Sequence, residues 1–431
     1  MARYTGAVLA KTLIVAAGTV FAASTLAVAQ RPDAFQQSIT HPAIAYQTTP
    51  VTDAAAQLDL KLADRSVTLT REPSSGYLRS LLRALDVMPE SQMLVFSQTS
   101  MQADQISFQN PRAVYFNDQV SIGWVRGADE LEIAVQDPRQ GIIFYTLEQG
   151  AAAPRFKRER QCLICHLTWD TLAVPGLTAL STAPIPDKNS YANGFTTDHR
   201  SPLSERWGGW FVTGQHGQSR HMGNLPVMPE DKGKSKIQNP RAVLPSVTGQ
   251  FDLAGYPTPH SDVVALMVFD HQAHMTNLLT RMGWEARVAQ QTGAPQTGAT
   301  QPGAARVRDA ARDVVDYMLF GDEAALPGKH QGTAGFAEKF TAIGPRDSRG
   351  RSLRDFDLER RLFRYPLSYM VYSEAFDALP AAAKDDVYTR LFAVLSGKET
   401  SVALRRLTAP DRTAVLEILR DTKKGLPAYF N

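Results

Sequence analysis

Four short runs decide the fold: Ala113-Val114-Tyr115-Phe116, Ser121-Ile122-Gly123-Trp124-Val125, Leu131-Glu132-Ile133-Ala134-Val135 and Ile142-Ile143-Phe144-Tyr145. Each is β-branched and aromatic and only four or five residues long. The separators Asn117-Asp118, Gly127-Ala128-Asp129 and Asp137-Pro138-Arg139-Gln140-Gly141 are turn-forming. Strands joined by such short turns pair antiparallel, so a meander of about four strands is expected. The sequence on either side has a different pattern, and the class predicted for the whole is α+β.

Upstream, residues 30–75 hold Pro32, Pro42, Pro50 and Pro73 with little periodicity and read as an extended arm packed on the body. From Gly76 to Val87, Leu78, Leu81, Leu82 and Leu85 fall at helical spacing. Downstream, residues 196–224 contain three of the nine histidines and two of the five tryptophans, cut by glycines into loops and one short strand, Trp210 to Thr213. Loops on a scaffold are where sites tend to be built. A helix is expected over 262–288 with Asp262 as N-cap, and a Gln/Thr/Gly/Ala/Pro-rich linker over 290–304. Helical stretches follow at Ala305–Phe320, Asp355–Arg364, Ala381–Leu395 and Asp411–Thr422. The expected organisation is a signal segment (1–29), an arm with the meander (30–150), a site-bearing region (151–289), the linker, and a helical C-terminal region (305–431).

Both cysteines of the chain lie in Cys162-Leu163-Ile164-Cys165-His166. This is the C-x-x-C-H pattern of covalent haem attachment, in which two thiols form thioethers to the porphyrin and the histidine ligates iron. Two cysteines allow one haem c. A redox-active disulfide and half of a zinc site are the alternatives. The first expects a βαβ setting that the pattern lacks, and the second needs a further pair of ligands that no second C-x-x-C supplies.

The N-terminus agrees with attachment outside the cytoplasm. Arg3 and Lys11 precede an apolar segment that ends in Ala27-Val28-Ala29, the layout of a cleaved secretory signal, which implies a bacterial periplasmic protein. The apolar run is short and broken by Gly18 and Thr19, so no stable membrane insertion is expected once it is removed. Loss of Arg3 and Lys11 lowers the formal charge from +3 to +1, and two haem propionates would bring it to about −1. No clustered basic face suggests nucleic-acid binding. The basic run Arg155 to Arg160 reads as a solvated surface segment, with propionate pairing as its alternative.

With His166 as proximal ligand, the other axial position sets the chemistry. Met222 is the leading candidate for it, with His221 beside it. His271 and His274 are the rivals, spaced i, i+3 on the expected helix. A second meaning of the histidine-rich segment is peroxide activation, in which an imidazole moves a proton and a guanidinium stabilises a leaving oxygen. His199, Arg200, His216 and Arg220 supply those residue types.

Cys162–His166 resembles the c-type cytochromes. The longer pattern resembles a group of large exported bacterial monohaem proteins of unsettled activity. It comprises Asn110-Pro111-Arg112 through Asn117-Asp118, Phe144-Tyr145-Thr146-Leu147, Arg206-Trp207-Gly208-Gly209-Trp210, His221-Met222-Gly223-Asn224, Gly344-Pro345-Arg346-Asp347 and Arg361 to Pro366. The resemblance implies haem binding and electron transfer to a redox partner protein. A haem-dependent oxidoreductase with an open iron site, and a haem-based sensor or assembly partner, are the competing functions. The chain lacks the second C-x-x-C-H of dihaem peroxidases.

Overall fold

A computed structural model describes residues 33–182, 194–225, 243–293 and 302–431, and the chain from Asp33 onward forms one compact unit. The expected signal segment, and residues 294–301 of the expected linker, lie outside the described residues. The elements run α1 (Ala54–Ala63), α2 (Leu78–Ala84), β1 (Met93–Val95), β2 (Arg112–Phe116), β3 (Val120–Trp124), β4 (Glu130–Asp137), β5 (Gly141–Glu148), β6 (Phe156–Arg158), α3 (Leu163–His166), β7 (Ala179–Thr182), β8 (Gly194–Thr197), β9 (Trp210–Phe211) and β10 (Gln215–His216). They continue with α4 (Val263–Gln291), α5 (Pro302–Met318), β11 (His330–Gln331), α6 (Phe336–Ile343), α7 (Glu374–Asp377), α8 (Ala381–Leu395) and α9 (Ala409–Thr422).

The four expected strands are β2 to β5, paired antiparallel in chain order. The sheet is larger than the meander. Its order is β6-β5-β4-β3-β2-β1-β9, with β6 and β9 as its two edges. The basic run supplies β6, where Arg155 pairs with Asp59 and the Arg158 guanidinium donates to the Tyr46 carbonyl. The short strand expected at Trp210 is β9, which pairs with β1 from far along the chain. The fold is α+β: an antiparallel sheet followed by a mainly helical C-terminal part.

Alternation along the strands feeds two cores. Tyr115, Ile122, Ile133, Ile143 and Tyr145 face one, with α1, α2 and the chain around Ile44. Val114, Phe116, Ile142 and Phe144 face the other, with α4 and the C-terminal helices. The arm expected over 30–75 therefore covers one sheet face, but it is not extended throughout. It contains α1, whose leucines Leu58, Leu60 and Leu62 fall at alternate positions and so show no helical stripe. The helix is set instead by Asp53, whose carboxylate accepts from the Ala55 and Ala56 N–H groups and from the Tyr145 hydroxyl.

Asp355–Arg364 is not the helix expected. Phe356 and Phe363 face each other in an antiparallel bridge, and the chain reverses through a left-handed Leu358. The Asp357 carboxylate takes the N–H groups of Glu359 and Arg360, the local bonding by which aspartate competes with helix formation. α6 was not apparent in the sequence pattern. α8 has the expected bounds. α9 starts at Ala409, because Thr408 and Asp411 form its capping box.

α4 is the axis of the molecule. Of its 29 residues, 23 are buried. At about 1.5 Å per residue it is roughly 44 Å long. Asp262 starts it as expected and does more than cap. One carboxylate oxygen accepts from Val264 and Ala265, and the other from Thr333 and Ala334. An N-cap lost to alanine usually costs about 1 kcal/mol. Asp262→Ala also removes the charged acceptor of two part-buried N–H groups in the 333–334 loop, and a hydrogen bond to a charged group is worth about 1.5–3 kcal/mol. The expected loss in urea unfolding is at least twice the usual cap value, about 2 kcal/mol or more.

Candidate functional site

The C-x-x-C-H motif follows β6 and forms a single helical turn, in which the His166 N–H donates to the Cys162 carbonyl at 2.9 Å. Both cysteines are half-buried free thiols. Burial, with Glu132 and Glu159 nearby, pushes the Cys162 thiol up to about 11. The His166 ring packs on Phe144 of β5 with centroids 4.8 Å apart. Its Nδ1 lies 2.9 Å from the Gly176 carbonyl. A carbonyl can only accept, so Nδ1 carries the proton and Nε2 presents a lone pair. Burial lowers the pKa of His166, which keeps the ring neutral at neutral pH. A histidine whose other nitrogen is anchored to a carbonyl is an oriented metal ligand.

The chain after the motif is bent to make that contact. Leu172 and Ala173 both take left-handed backbone angles, with φ of 60° and 55°, a conformation that costs about 1–3 kcal/mol at a non-glycine residue. The turn brings the Gly176 N–H to the His166 carbonyl at 3.0 Å. α4 then fixes the segment. Buried Asn277 accepts from the Leu177 N–H at 2.9 Å and donates to the Leu177 carbonyl at 2.7 Å. Glycine is required at 176 because a Cβ would lie 2.2 Å from the Asn277 Oδ1. Phe144 stood out in the sequence as part of a strand and of the longer pattern, with nothing to place it against His166. Gly176 and Asn277 gave no signal beyond a Pro-Gly turn and a polar residue on an apolar helix.

The remaining candidates fall into two separate groups. In the first, His199 and His271 share a buried hydrogen bond, Nδ1 to Nδ1 at 2.8 Å, and His271 Nε2 lies 2.7 Å from the Ser368 hydroxyl. His199 stacks on Tyr317 at 4.0 Å between centroids. Arg200 pairs with Asp198 and reaches His274 Nε2 at 3.2 Å. Beneath them Arg206 and the Trp207 indole N–H both meet Asp270, which burial pushes up to about 6 against the pull of Arg206. In the second group His216 and His330 lie opposite each other on β10 and β11, and the His221 ring meets the His216 ring edge-on at 4.8 Å. His216 Nδ1 is 2.8 Å from the Ser219 carbonyl. Arg220 is exposed and joins neither group. His199, His216 and His221 each keep a buried Nε2 with no hydrogen-bond partner.

The structure does not bring Met222 to His166. Met222 is held at the β9 edge, where its N–H donates to the Arg206 carbonyl at 2.9 Å and its sulfur lies 3.8 Å from the Ser181 hydroxyl. The adjoining Asn224 is bonded to Trp210 and Val212. Four strands separate β9 from β5, on which His166 packs. At about 4.8 Å per strand that is roughly 24 Å along the sheet, whereas metal–nitrogen and metal–sulfur bonds are only about 2.0–2.3 Å. His271 uses both nitrogens in hydrogen bonds, and His274 Nε2 accepts from Arg200.

Among the described residues no group of three or more His, Cys, Asp or Glu converges as a metal site, and no helix is long and apolar enough to cross a membrane. Comparison of the chain with family models, with curated proteins and with solved structures found no match.

Two outcomes follow. Asn277→Ala removes the clamp on Leu177 and frees the Gly176 carbonyl. His166 Nδ1–H then exchanges faster with solvent in nitrogen-resolved NMR, and unfolding free energy falls by about 2 kcal/mol. Burial depresses His271 to about 3 and His199 well below its ordinary value. The unfolded chain binds these protons below about pH 6.5 and the folded chain does not. Stability is therefore full above pH 6.5 and falls as pH drops toward 3, by up to about 1.4 kcal/mol per unit for each histidine. Urea midpoints measured from pH 7.5 to 4.5 should decline, and His271→Gln should flatten the decline.

Proposed function

We propose that the chain is an exported, periplasmic monohaem c-type protein whose primary role is one-electron transfer with a redox partner protein. Cys162 and Cys165 would hold one haem c by thioether bonds, and His166 would ligate it on the proximal side. The observation that carries the reading is His166 itself: a neutral imidazole in the motif turn, its Nδ1 anchored on Gly176 and its Nε2 lone pair free to ligate. The donor set fits the group, because both thiols are free and one helical turn holds them beside that ring. A haem bound there supplies a one-electron iron couple. The protein's part is to fix the proximal ring by way of Gly176 and Asn277, and to back it with Phe144.

A second reading is a haem-dependent oxidoreductase with an open distal position. It is favoured by the placement of Met222 at the opposite sheet edge and by the hydrogen bonds that already engage His271 and His274.

Expression with export in a bacterium that matures c-type cytochromes tests the first step. Haem should stay with the chain through acid–acetone extraction, and the Cys162→Ala/Cys165→Ala double variant should lose it. A chain that never acquires covalent haem ends the reading. The ferric spectrum then separates the two functions. A six-coordinate low-spin haem is expected of a carrier, and a high-spin haem that binds cyanide rapidly indicates the enzyme. Met222→Ala is expected to leave the spectrum unchanged, given where the 217–225 loop sits. Conversion from low to high spin would put Met222 on the iron and require that loop to leave the β9 edge.

A further inference from the structure

One ion pair lies on the sheet face beneath the motif, and its role deepens the haem reading, on which it rests. Arg112 is on β2 and Glu132 on β4, yet the guanidinium and the carboxylate meet across β3. They meet because position 123, which pairs with Glu132 in the ladder, is glycine. A Cβ there would lie 2.4 Å from Arg112 Nη2 and 2.8 Å from its Cζ.

The register sets this pair beside the motif. Phe144, on which His166 packs, lies opposite Ala134. Glu132 is two residues from Ala134 on the same face, so it is a diagonal neighbour of Phe144, about 7–8 Å away. Both charges act on the His166 imidazole and on the Cys162 thiol. The two side chains are only 24% and 17% exposed, and Arg112 Nε is buried with no hydrogen-bond partner. A largely buried ion pair contributes little net stability compared with apolar residues of similar size. Its place between the two central strands and the motif suits an electrostatic role better than a structural one.

We propose that Arg112 and Glu132 are positioning residues whose opposed charges set the electron affinity of the haem tethered at Cys162–His166. Reduction adds one negative charge to the centre. A nearby guanidinium favours the reduced form and a nearby carboxylate the oxidised form, and away from bulk water neither is fully screened. Held together by Gly123, the two fields largely cancel, and the potential is poised by the balance between them.

The test is a potentiometric titration of the exported holoprotein, followed by its visible spectrum. Arg112→Gln should lower the midpoint and Glu132→Gln should raise it. Each change should be about tenfold in the equilibrium with a one-electron partner, which is 59 mV. The double variant should return to less than half of either shift. Arg112→Lys keeps the charge and should hold the midpoint near the parent value, with the ferric and ferrous spectra of all variants unchanged in form. Shifts of the same sign in the two single variants overturn the proposal, because general loosening of the site would move both alike. No shift in either, or a shift in Arg112→Lys as large as in Arg112→Gln, overturns it as well. Absence of covalent haem from the unmutated chain is a different failure, seen before any titration, and it overturns the attachment reading first.

Discussion

A helix buried on nearly every side must find a partner for each polar side chain it carries, since an unpaired buried polar group costs about 1–3 kcal/mol. α4 meets most of that demand by reaching into the segments around it, and among the described residues it leaves groups such as the Trp284 indole N–H and Arg281 Nε without a partner. Asp270 holds Arg206 and Trp207, His271 holds His199 and Ser368, and Asn277 clamps Leu177. Gln272 joins the Asn117 carbonyl of the sheet to the Tyr369 hydroxyl of the C-terminal part. Arg281 and Glu285 pair with Asp313 and Arg306 at α5. Apolar burial supplies the driving force, and these contacts fix where each surrounding segment sits.

The candidate site is one product of that arrangement. Asn277 fixes Leu177, which fixes the Gly176 carbonyl, which sets the tautomer and orientation of His166. At 176 and at 123 the absence of a side chain lets a polar group come close, and glycine marks the position in both cases. His271, one half of the buried pair with His199, lies on the same helix but makes another contact, and its hydrogen bonds engage the ring that spacing alone had offered as a ligand.

The legible parts of the sequence were those whose signal is local. Turn chemistry and β-branching marked β2 to β5, Asp262 marked the start of α4, and C-x-x-C-H marked the motif. Pairings between distant segments left no local trace. β9 was legible as a short strand at Trp210, but β1 was not, and nothing local shows that β1 joins β2 to β9. The hairpin at Phe356–Phe363 resembled a helix because its charged and apolar residues fall at helical spacing by chance, while Asp357 decided the backbone. His221 and Met222 looked like ligands by type and by their glycine-flanked loop. Their distance from His166 depends on strand order, which spacing along the chain does not encode.

The way the sheet is completed has a kinetic consequence. The Gln92 side chain donates to the carbonyls of Thr258 and His260, 166 and 168 positions further along, and Arg354 pairs with Asp118 across 236 positions. Contacts of this span are closed late, because loop-closure entropy has to be met before they form. The meander can pair as soon as its own strands exist. Its outer edge at β1 stays open until Trp210 and Phe211 are available, and the face that α4 covers until residues beyond 260 are. A chain built in this way spends its early folding with apolar strand faces uncovered, which makes it slow to fold and prone to aggregate. Holding such a nascent sheet in solution until α4 arrives is work for a chaperone.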